Sequence, residues 1–159
     1  MARVLIVGCG CRGRALASAL LADGHAVRGT TRNAERLAEI EAAGAEPEQA
    51  DPDRLGTVMT QLAGVTVVCW LLGSAGGSNV AELHGPRLET LLERLVDTPV
   101  RGIVYEAAGT VEPELLRAGA AAVRAAAERW RMPAEVVEQG ADDLEAWLAA
   151  VRAAVGRLL

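Results

Sequence analysis

The sequence contains no lysine and no phenylalanine, and the first absence narrows the chemistry open to it. A chain without lysine cannot form a Schiff base, because the guanidinium of arginine stays protonated. The Walker-type phosphate loop is excluded for the same reason, since that loop needs a lysine. All 16 basic side chains are therefore arginines, which bind phosphates and carboxylates through a rigid fork of N–H donors.

Cysteines are few, positive charge is in the minority, and long hydrophobic runs are absent. Three cysteines without a long-range framework indicate a reducing compartment, and we expect a cytoplasmic protein. A formal charge of −5 disfavours general binding to nucleic acid or to an anionic membrane. The apolar run near Met1 is too short for a signal peptide, and no run approaches a membrane span. Small molecules are therefore the expected ligands.

Short apolar runs alternate with helical patterns along the whole chain, which has the length of one domain. Asn33, Asp51 and Asp142 are placed to cap three of the helices. Such alternation predicts a doubly wound six-stranded parallel sheet in strand order 3-2-1-4-5-6, forming a single α/β domain over residues 1–159. The predicted strands cover residues 4–7, 25–31, 45–48, 65–72, 101–105 and 134–137.

A glycine-rich turn joins the first strand to the first helix. Gly8, Gly10 and Gly13 have the spacing of a dinucleotide-binding turn. The first glycine lets the chain turn, the second lets the backbone approach a pyrophosphate, and the third lets helix and strand pack closely. We expect these glycines, with Cys11 and Arg12 between them, to bind the phosphates of a dinucleotide. The alternative is a sheet of this type that has lost its ligand.

The end of the second strand indicates which dinucleotide this turn binds. NAD enzymes usually carry an acidic residue there, which bonds the 2′-hydroxyl of the ribose. Thr31 occupies that position here, and its hydroxyl can bond a phosphate oxygen. We expect its neighbours Thr30 and Arg32 to contact the cofactor as well. Arg32 can bind a 2′-phosphate, with Arg36 and Arg12 converging on the same anion. The pattern predicts NADP(H) rather than NAD(H), unless Arg32 and Arg36 are simply solvated residues at a helix start.

The fourth predicted strand ends in a segment that faces the ligand in this kind of sheet. Leu71 and Leu72 close the strand, and Gly73 begins a glycine- and serine-rich loop that reaches Asn79. Ligands of open α/β sheets bind outside the carboxyl ends of the strands. We therefore expect Leu71, Leu72 and Gly73 to contact the cofactor.

These patterns resemble the atypical and extended short-chain dehydrogenases/reductases, the NAD-dependent epimerase/dehydratase group. The resemblance is specific over residues 3–36, which hold the glycine turn and the second strand. It implies a Rossmann domain that binds NAD(P) and pairs through two helices into a homodimer. Active members of the group also use a Ser/Thr and a Tyr-x-x-x-Lys pair.

The chain departs from the catalytic part of that pattern. Ala107 and Ala108 stand where the resemblance places hydroxyls, and the only tyrosine, Tyr105, is followed four residues later by Gly109. The chain is also too short for the substrate domain of the extended members. The cofactor domain of β-hydroxyacid dehydrogenases is a further resemblance, but those enzymes take a catalytic lysine from a second domain.

Two functions therefore stay open. The first is an NADP-dependent oxidoreductase or epimerase relative that acts on an unidentified small molecule. The second is a non-catalytic NADP(H) sensor or partner-binding module that uses the same cleft. The missing lysine favours the second function, since it removes the usual catalytic pair.

Glu106 and His84 are the candidate catalytic residues. Glu106 closes the fifth predicted strand, where a carboxylate either bonds a ribose, acts as a base or caps the next helix. His84 follows the glycine-rich loop and is either an acid or base near the ligand or, as we expect, a surface residue at a helix start.

We expect structural roles for the cysteines and tryptophans. Cys9 and Cys11 lack a second pair or a nearby histidine, so we expect no metal site there. The tryptophans are expected in the core or in subunit contacts. Gly119 and Ala122 are small residues of the long helix predicted at 113–131, and they would let a second subunit approach closely. The three tryptophans are Trp70, Trp130 and Trp147.

Overall fold

The structure, a computed structural model that describes residues 1–159, is built on one sheet of six parallel strands in the order β3-β2-β1-β4-β5-β6. The doubly wound fold predicted from the alternating pattern is confirmed. The strands are β1 (Arg3–Val7), β2 (Ala26–Thr31), β3 (Glu46–Gln49), β4 (Val67–Trp70), β5 (Gly102–Glu106) and β6 (Ala134–Val137). The α-helices are α1 (Cys11–Ala22), α2 (Leu37–Ala42), α3 (Leu55–Met59), α4 (Val80–Leu83), α5 (Pro86–Leu95), α6 (Pro113–Trp130) and α7 (Leu144–Leu158).

Each face of the sheet carries its own hydrophobic core. From β1, Leu5 and Val7 point into the core that α5 and α6 cover. Val4 and Ile6 point into the core that α1 and α7 cover. All four side chains are fully buried, as the apolar run of a central parallel strand requires. The helices that follow β1 and β4 lie on opposite faces, and this opens a crevice at the carboxyl ends of these two strands.

Some apolar runs extend beyond the hydrogen-bonded strands. Strand β4 has four residues, although the apolar run predicted eight. The extra apolar residues have other roles, since Val65 is buried before the strand and Leu71 and Leu72 line the crevice after it. The remaining strands agree with the predicted bounds to within one residue. The alternation therefore located all six strands.

Two predicted helix starts have different outcomes. Asn33 is confirmed as a cap, since its Oδ1 accepts from the N–H of Glu35 at 3.0 Å, but it caps a 3-10 turn (Ala34–Arg36) that leads into α2. Asp51 does not cap a helix. Its carboxylate accepts from the N–H of Asp53 at 2.9 Å, and this local turn delays α3 until Leu55.

The last helix begins one residue later than predicted. Asp143, and not Asp142, is the N-cap, and its Oδ1 accepts from the N–H of Ala146 at 3.1 Å. The shift places Ala146 at the third helical position instead of Glu145, so the predicted capping box is absent. None of the helices has both the length and the apolar composition that crossing a membrane requires.

Helix α6 lies close to β5 through Gly119. A Cβ atom at this position would overlap the hydroxyl of Tyr105, whose side chain is fully buried. Gly119 therefore serves a contact within the chain, and the prediction that it lies open to a second subunit is wrong. Ala122 lies elsewhere on α6, in a surface groove between α5 and α6.

We expect Gly119→Ala to lower the free energy of unfolding by about 1–3 kcal/mol, because the added Cβ would overlap the hydroxyl of the fully buried Tyr105. Gly156→Ala is the matched control in a helix. Nothing lies within 4 Å of its added Cβ, so alanine should stabilise the protein by about 0.5–1 kcal/mol. Urea unfolding of both variants measures the difference. A neutral or stabilising effect of Gly119→Ala would contradict the described packing.

Candidate functional site

A cleft of about 310 Å³ opens at the crevice between β1 and β4. Its volume falls at the lower end of the range for small-molecule sites. All but one of the predicted cofactor contacts line it, namely Gly8, Gly10, Cys11, Arg12, Gly13, Thr30, Thr31, Arg32, Arg36, Leu71 and Leu72. Residues that sequence reasoning did not assign to the site complete the lining, namely Cys9, Ala50, Pro52, Ser74, Ala75, Leu83 and Trp147.

The three glycines of the turn differ in what surrounds them. Gly8 has φ +89°, and a Cβ there would lie 2.6 Å from the carbonyl oxygen of Leu71. At Gly13 a Cβ would lie 3.0 Å from the carbonyl oxygen of Gly8. At Gly10 a Cβ would meet no protein atom within 4 Å. Packing within the chain therefore explains the first and third glycines, whereas Gly10 faces the open cleft.

The two threonines at the end of β2 have different hydrogen bonds. The Thr30 hydroxyl is buried and donates to the carbonyl oxygen of Ile6 at 3.4 Å. The Thr31 hydroxyl accepts from the N–H of Asn33 at 3.2 Å, and its own proton stays free to be donated. Thr31 is therefore the hydroxyl at this end of the cleft that can bond a ligand.

Two arginines border the same end of the cleft. The Arg32 side chain is 51% exposed, and its Nη1 lies 3.9 Å from Oδ2 of Asp53. The Arg36 side chain is 56% exposed, and its Nη1 lies 3.7 Å from Oε2 of Glu39. Exposed ion pairs with such long separations are weak. Both guanidinium groups are therefore available to an anion.

Glu106 does not line the cleft, where it would bond a ribose or act as a base, and it does not cap the next helix, so the structure departs from all three sequence interpretations of this residue. Its carboxylate is fully buried. Oε1 accepts from the N–H of Gly73 at 2.9 Å, and Oε2 accepts from the indole N–H of Trp147 at 2.9 Å and from Nη1 of Arg12 at 3.1 Å. Burial raises the pKa of Glu106, and the Arg12 charge and these hydrogen bonds oppose that rise.

Gly73, the remaining predicted cofactor contact, lies outside the cleft lining. Besides donating to Glu106, it packs so closely that a Cβ would overlap the carbonyl oxygen of Ala108. Gly73 therefore fixes the start of the loop after β4.

Arg12 lies in the cleft but points away from Arg32. Its guanidinium bonds Glu106 at the end of β5 and lies over the Trp147 ring, with Cζ 5.5 Å from the ring centroid. Strands β5 and β2 are three strand spacings apart, about 14 Å. The expected convergence of Arg12 with Arg32 and Arg36 is therefore wrong in this structure.

His84 is buried and is not the surface residue that the sequence suggested. Its Nε2 lies 2.9 Å from the carbonyl oxygen of Leu72, which can only accept, so Nε2 carries the proton. Nδ1 then accepts from the hydroxyl of Tyr105 at 2.6 Å. Burial lowers the pKa of His84 and raises that of Tyr105. The pair lies behind the cleft and supports its wall at Leu72.

The cysteines of the turn have different surroundings. Cys9 is buried against Gly29, and burial raises the pKa of its thiol to about 11. Cys11 is exposed and lines the cleft as the first residue of α1. All three cysteines are free. No group of three or more His, Cys, Asp or Glu side chains lies close enough to hold a metal ion.

The fold and the cleft together define a class of protein. A glycine turn between the first strand and first helix of a doubly wound sheet, open at the strand-order reversal, is the arrangement of a Rossmann dinucleotide-binding domain. The sequence model of the NAD(P)H-binding family matches residues 8–148. The chain belongs to this NAD(P)H-binding family, with a Rossmann domain like that of the short-chain dehydrogenases/reductases, and the predicted resemblance is confirmed.

Solved structures share the fold at low sequence identity. A Bacillus halodurans protein assigned to the NAD-dependent epimerases/dehydratases is 23% identical, with a TM-score of 0.68 over 88% of this chain and 71% of its own. Triphenylmethane reductase from Citrobacter sp., complexed with NADP(H), is 18% identical, with a TM-score of 0.61 over 84% of this chain and 48% of its own.

A third similar structure is the UDP-glucuronic acid 4-epimerase of Bacillus cereus, solved with NAD. It is 14% identical, with a TM-score of 0.65 over 84% of this chain and 55% of its own. The chain thus spans about half the length of the reductase and of this epimerase. No curated protein matches the sequence significantly.

The buried His84 makes stability depend on pH below its ordinary pKa of 6.5. Because burial lowers the pKa of His84, the unfolded chain binds a proton that the folded chain does not bind between the two values. The contribution of His84 is therefore fully present above pH 6.5 and is lost as pH falls towards the lowered pKa. We expect the free energy of unfolding to fall as the pH is lowered through and below about 6.5, and His84→Gln to reduce that slope.

Urea unfolding across this pH range measures the slope. His25→Gln is the matched control, because it removes the other histidine and leaves His84 in place. His84→Gln should reduce the slope more than this control does. Equal slopes for the wild type and His84→Gln would contradict the buried, neutral state of His84.

Proposed function

We propose that the protein binds NADP(H) in the cleft and acts as an NADP-dependent oxidoreductase or epimerase relative on a small molecule. The observation that carries this proposal is the open space beside Gly10. No protein atom would contact a side chain at this position, which is where a pyrophosphate approaches the backbone in a dinucleotide-binding turn. The open space beside it is the space that a bound phosphate needs. The three free cysteines support a cytoplasmic location.

The preference for NADP(H) rests on the end of β2. Thr31 stands where a carboxylate would bond the ribose 2′-hydroxyl of NAD, and it has a free hydroxyl proton. Arg32 and Arg36 add two exposed guanidinium groups beside it. A 2′-phosphate at this end would form charge-assisted hydrogen bonds with these side chains. Ala50 and Pro52 line the same end and offer an apolar surface for the adenine.

The other predicted contact residues bind the remaining parts of the cofactor. In this proposal the glycine turn, with Cys11, holds the pyrophosphate at the start of α1. Leu71 and Leu72 form the wall near the carboxyl end of β4, on the side where the second nucleotide half would lie.

A non-catalytic role as an NADP(H) sensor is the second candidate function. The observation that favours it is the position of the two candidate catalytic residues, because neither Glu106 nor His84 lines the cleft. Consumption of NADPH in the presence of a panel of quinones and aldehydes separates the two functions. Turnover that saturates with one of these acceptors supports an enzyme, and binding without turnover supports a sensor.

We also propose that two copies pair through α5 and α6. A groove of about 170 Å³ lies between these helices. Arg129 lies over the Trp130 ring at its border, with Cζ 5.4 Å from the ring centroid. The small residues that line the groove let the helix of a second copy approach closely. The groove is lined by Glu89, Leu92, Ala122, Ala125, Ala126, Arg129 and Trp130.

Light scattering tests the dimer. We expect twice the chain mass for the wild type and the mass of one chain for Ala125→Arg, because a long charged side chain would fill the groove. Ala153→Arg is the matched control, since Ala153 is an exposed residue of α7, the helix that covers the opposite face of the sheet. A monomeric wild type, or equal effects of the two variants, would contradict this interface.

Calorimetric titration with NADPH and NADH tests the cofactor proposal. Gly10→Ala should weaken the affinity for both by about tenfold or more, because its Cβ fills the space of the pyrophosphate. Arg32→Ala should weaken the affinity for NADPH by about tenfold and that for NADH by less than about twofold.

Two control variants accompany this titration. Gly156→Ala and Arg124→Ala change the same residue types on the surface and outside the cleft, so they should leave both affinities unchanged. A wild type that binds neither dinucleotide would overturn the proposed function. An equal loss of NADPH and NADH affinity in Arg32→Ala would overturn the preference for NADP(H).

A further inference from the structure

Arg12 leaves most of its hydrogen-bonding capacity without a partner in the protein. A guanidinium has five N–H donors, and the Arg12 side chain makes one hydrogen bond, to Glu106. Its side chain is 28% exposed, and the residue lines the cleft. Arg12 thus has donors that water or a ligand can reach, on a side chain whose position is already fixed.

Two fully buried residues fix that position. The carboxylate of Glu106 accepts a hydrogen bond from Arg12, and it also accepts from the N–H of Gly73 and the indole N–H of Trp147. The Arg12 guanidinium also lies over the Trp147 ring, within cation–π distance. An arginine held in this way binds an anion without losing the rotamer entropy that a free side chain would lose.

This cation is separate from the arginines at the end of β2. It lies beside β5, about three strand spacings from Arg32. The charged group beside Arg12 is the buried carboxylate of Glu106, to which it donates one hydrogen bond. The cleft residues near the end of β4 and in the following loop, Leu72, Ser74 and Ala75, carry no charge. An anionic group bound here cannot be the 2′-phosphate that Arg32 would hold.

We propose that Arg12 forms a second anion subsite of the cleft, on its β5 side, which binds a phosphate or carboxylate group. Glu106 and Trp147 are positioning residues that act through Arg12. The inference rests on the proposed binding of a dinucleotide in this cleft. The bound group is either the pyrophosphate of the dinucleotide or the anionic group of a second ligand.

Calorimetric titration of the full chain separates these two sources. The wild type, Arg12→Ala, Arg32→Ala and Arg124→Ala are titrated with NADPH and NADH, and the NADPH-saturated proteins are then titrated with inorganic phosphate. If the source is the pyrophosphate, Arg12→Ala weakens NADPH and NADH equally, by about tenfold or more. If the source is a second ligand, both dinucleotide affinities stay unchanged, and phosphate binds the wild-type complex but not the Arg12→Ala complex.

Two outcomes overturn the subsite. The first is that Arg12→Ala has no effect in either titration. The second is that Arg12→Ala weakens the affinity for NADPH alone, as Arg32→Ala does, which would mean that Arg12 binds the 2′-phosphate. Circular dichroism and thermal unfolding check that the variant is folded. Arg12→Lys is a second variant that keeps a positive charge and should retain part of the affinity, because lysine binds phosphate as a point charge.

A double-mutant cycle tests the positioning role. Trp147→Phe keeps an aromatic ring and removes the hydrogen bond to Glu106. We expect it to weaken anion binding in the wild-type background and to have no effect in the Arg12→Ala background. Equal effects in both backgrounds would show a general structural role and overturn the positioning assignment.

Failure of the dinucleotide proposal remains distinguishable from failure of the subsite. If the wild type binds neither NADPH nor NADH, the proposed function is overturned, and titration with inorganic pyrophosphate then tests Arg12 alone. Binding that Arg12→Ala abolishes supports the subsite. Absent binding, or equal binding by the wild type and Arg12→Ala, overturns it.

Discussion

The buried carboxylate of Glu106 is the interaction on which the geometry of the cleft depends. A carboxylate removed from water is costly unless charges and hydrogen bonds compensate for it. Here the donors come from α1, from the loop after β4 and from α7. Removing one partner of such a pair typically costs about 3–5 kcal/mol. The three segments that form one side of the cleft are therefore held at fixed distances from the end of β5.

The two ends of the cleft differ in how tightly their arginine side chains are held. At the β2 end, Arg32 and Arg36 are exposed and only loosely paired. At the β5 end, Arg12 is fixed by buried neighbours. Exposed cations can adjust to an anion and are screened by salt, whereas a fixed cation is preorganised for an anion at one place. The central glycine turn lies between these ends and contributes backbone N–H groups without a side chain in the way.

The fold could be predicted from the sequence because its signals are local. Continuous apolar runs mark buried parallel strands, and their alternation with helices leaves few topologies. The glycine spacing likewise placed Gly8 and Gly13 where close packing excludes a side chain. Glu106 and His84 were misplaced because their environments come from residues distant in sequence, Arg12 and Trp147 for one and Leu72 and Tyr105 for the other. The local sequence indicates where a residue lies in the fold, and contacts with residues distant in sequence determine the direction of its side chain.

The contact between Arg12 and Glu106 joins two positions that are 94 residues apart. Losing the arginine alone leaves a buried negative charge, and losing the glutamate alone frees a cation in the cleft. Each single change is harmful for a different reason, the first for stability and the second for the shape of the cleft. The two positions are therefore coupled, and we expect homologous chains that lack one member of the pair to lack the other as well.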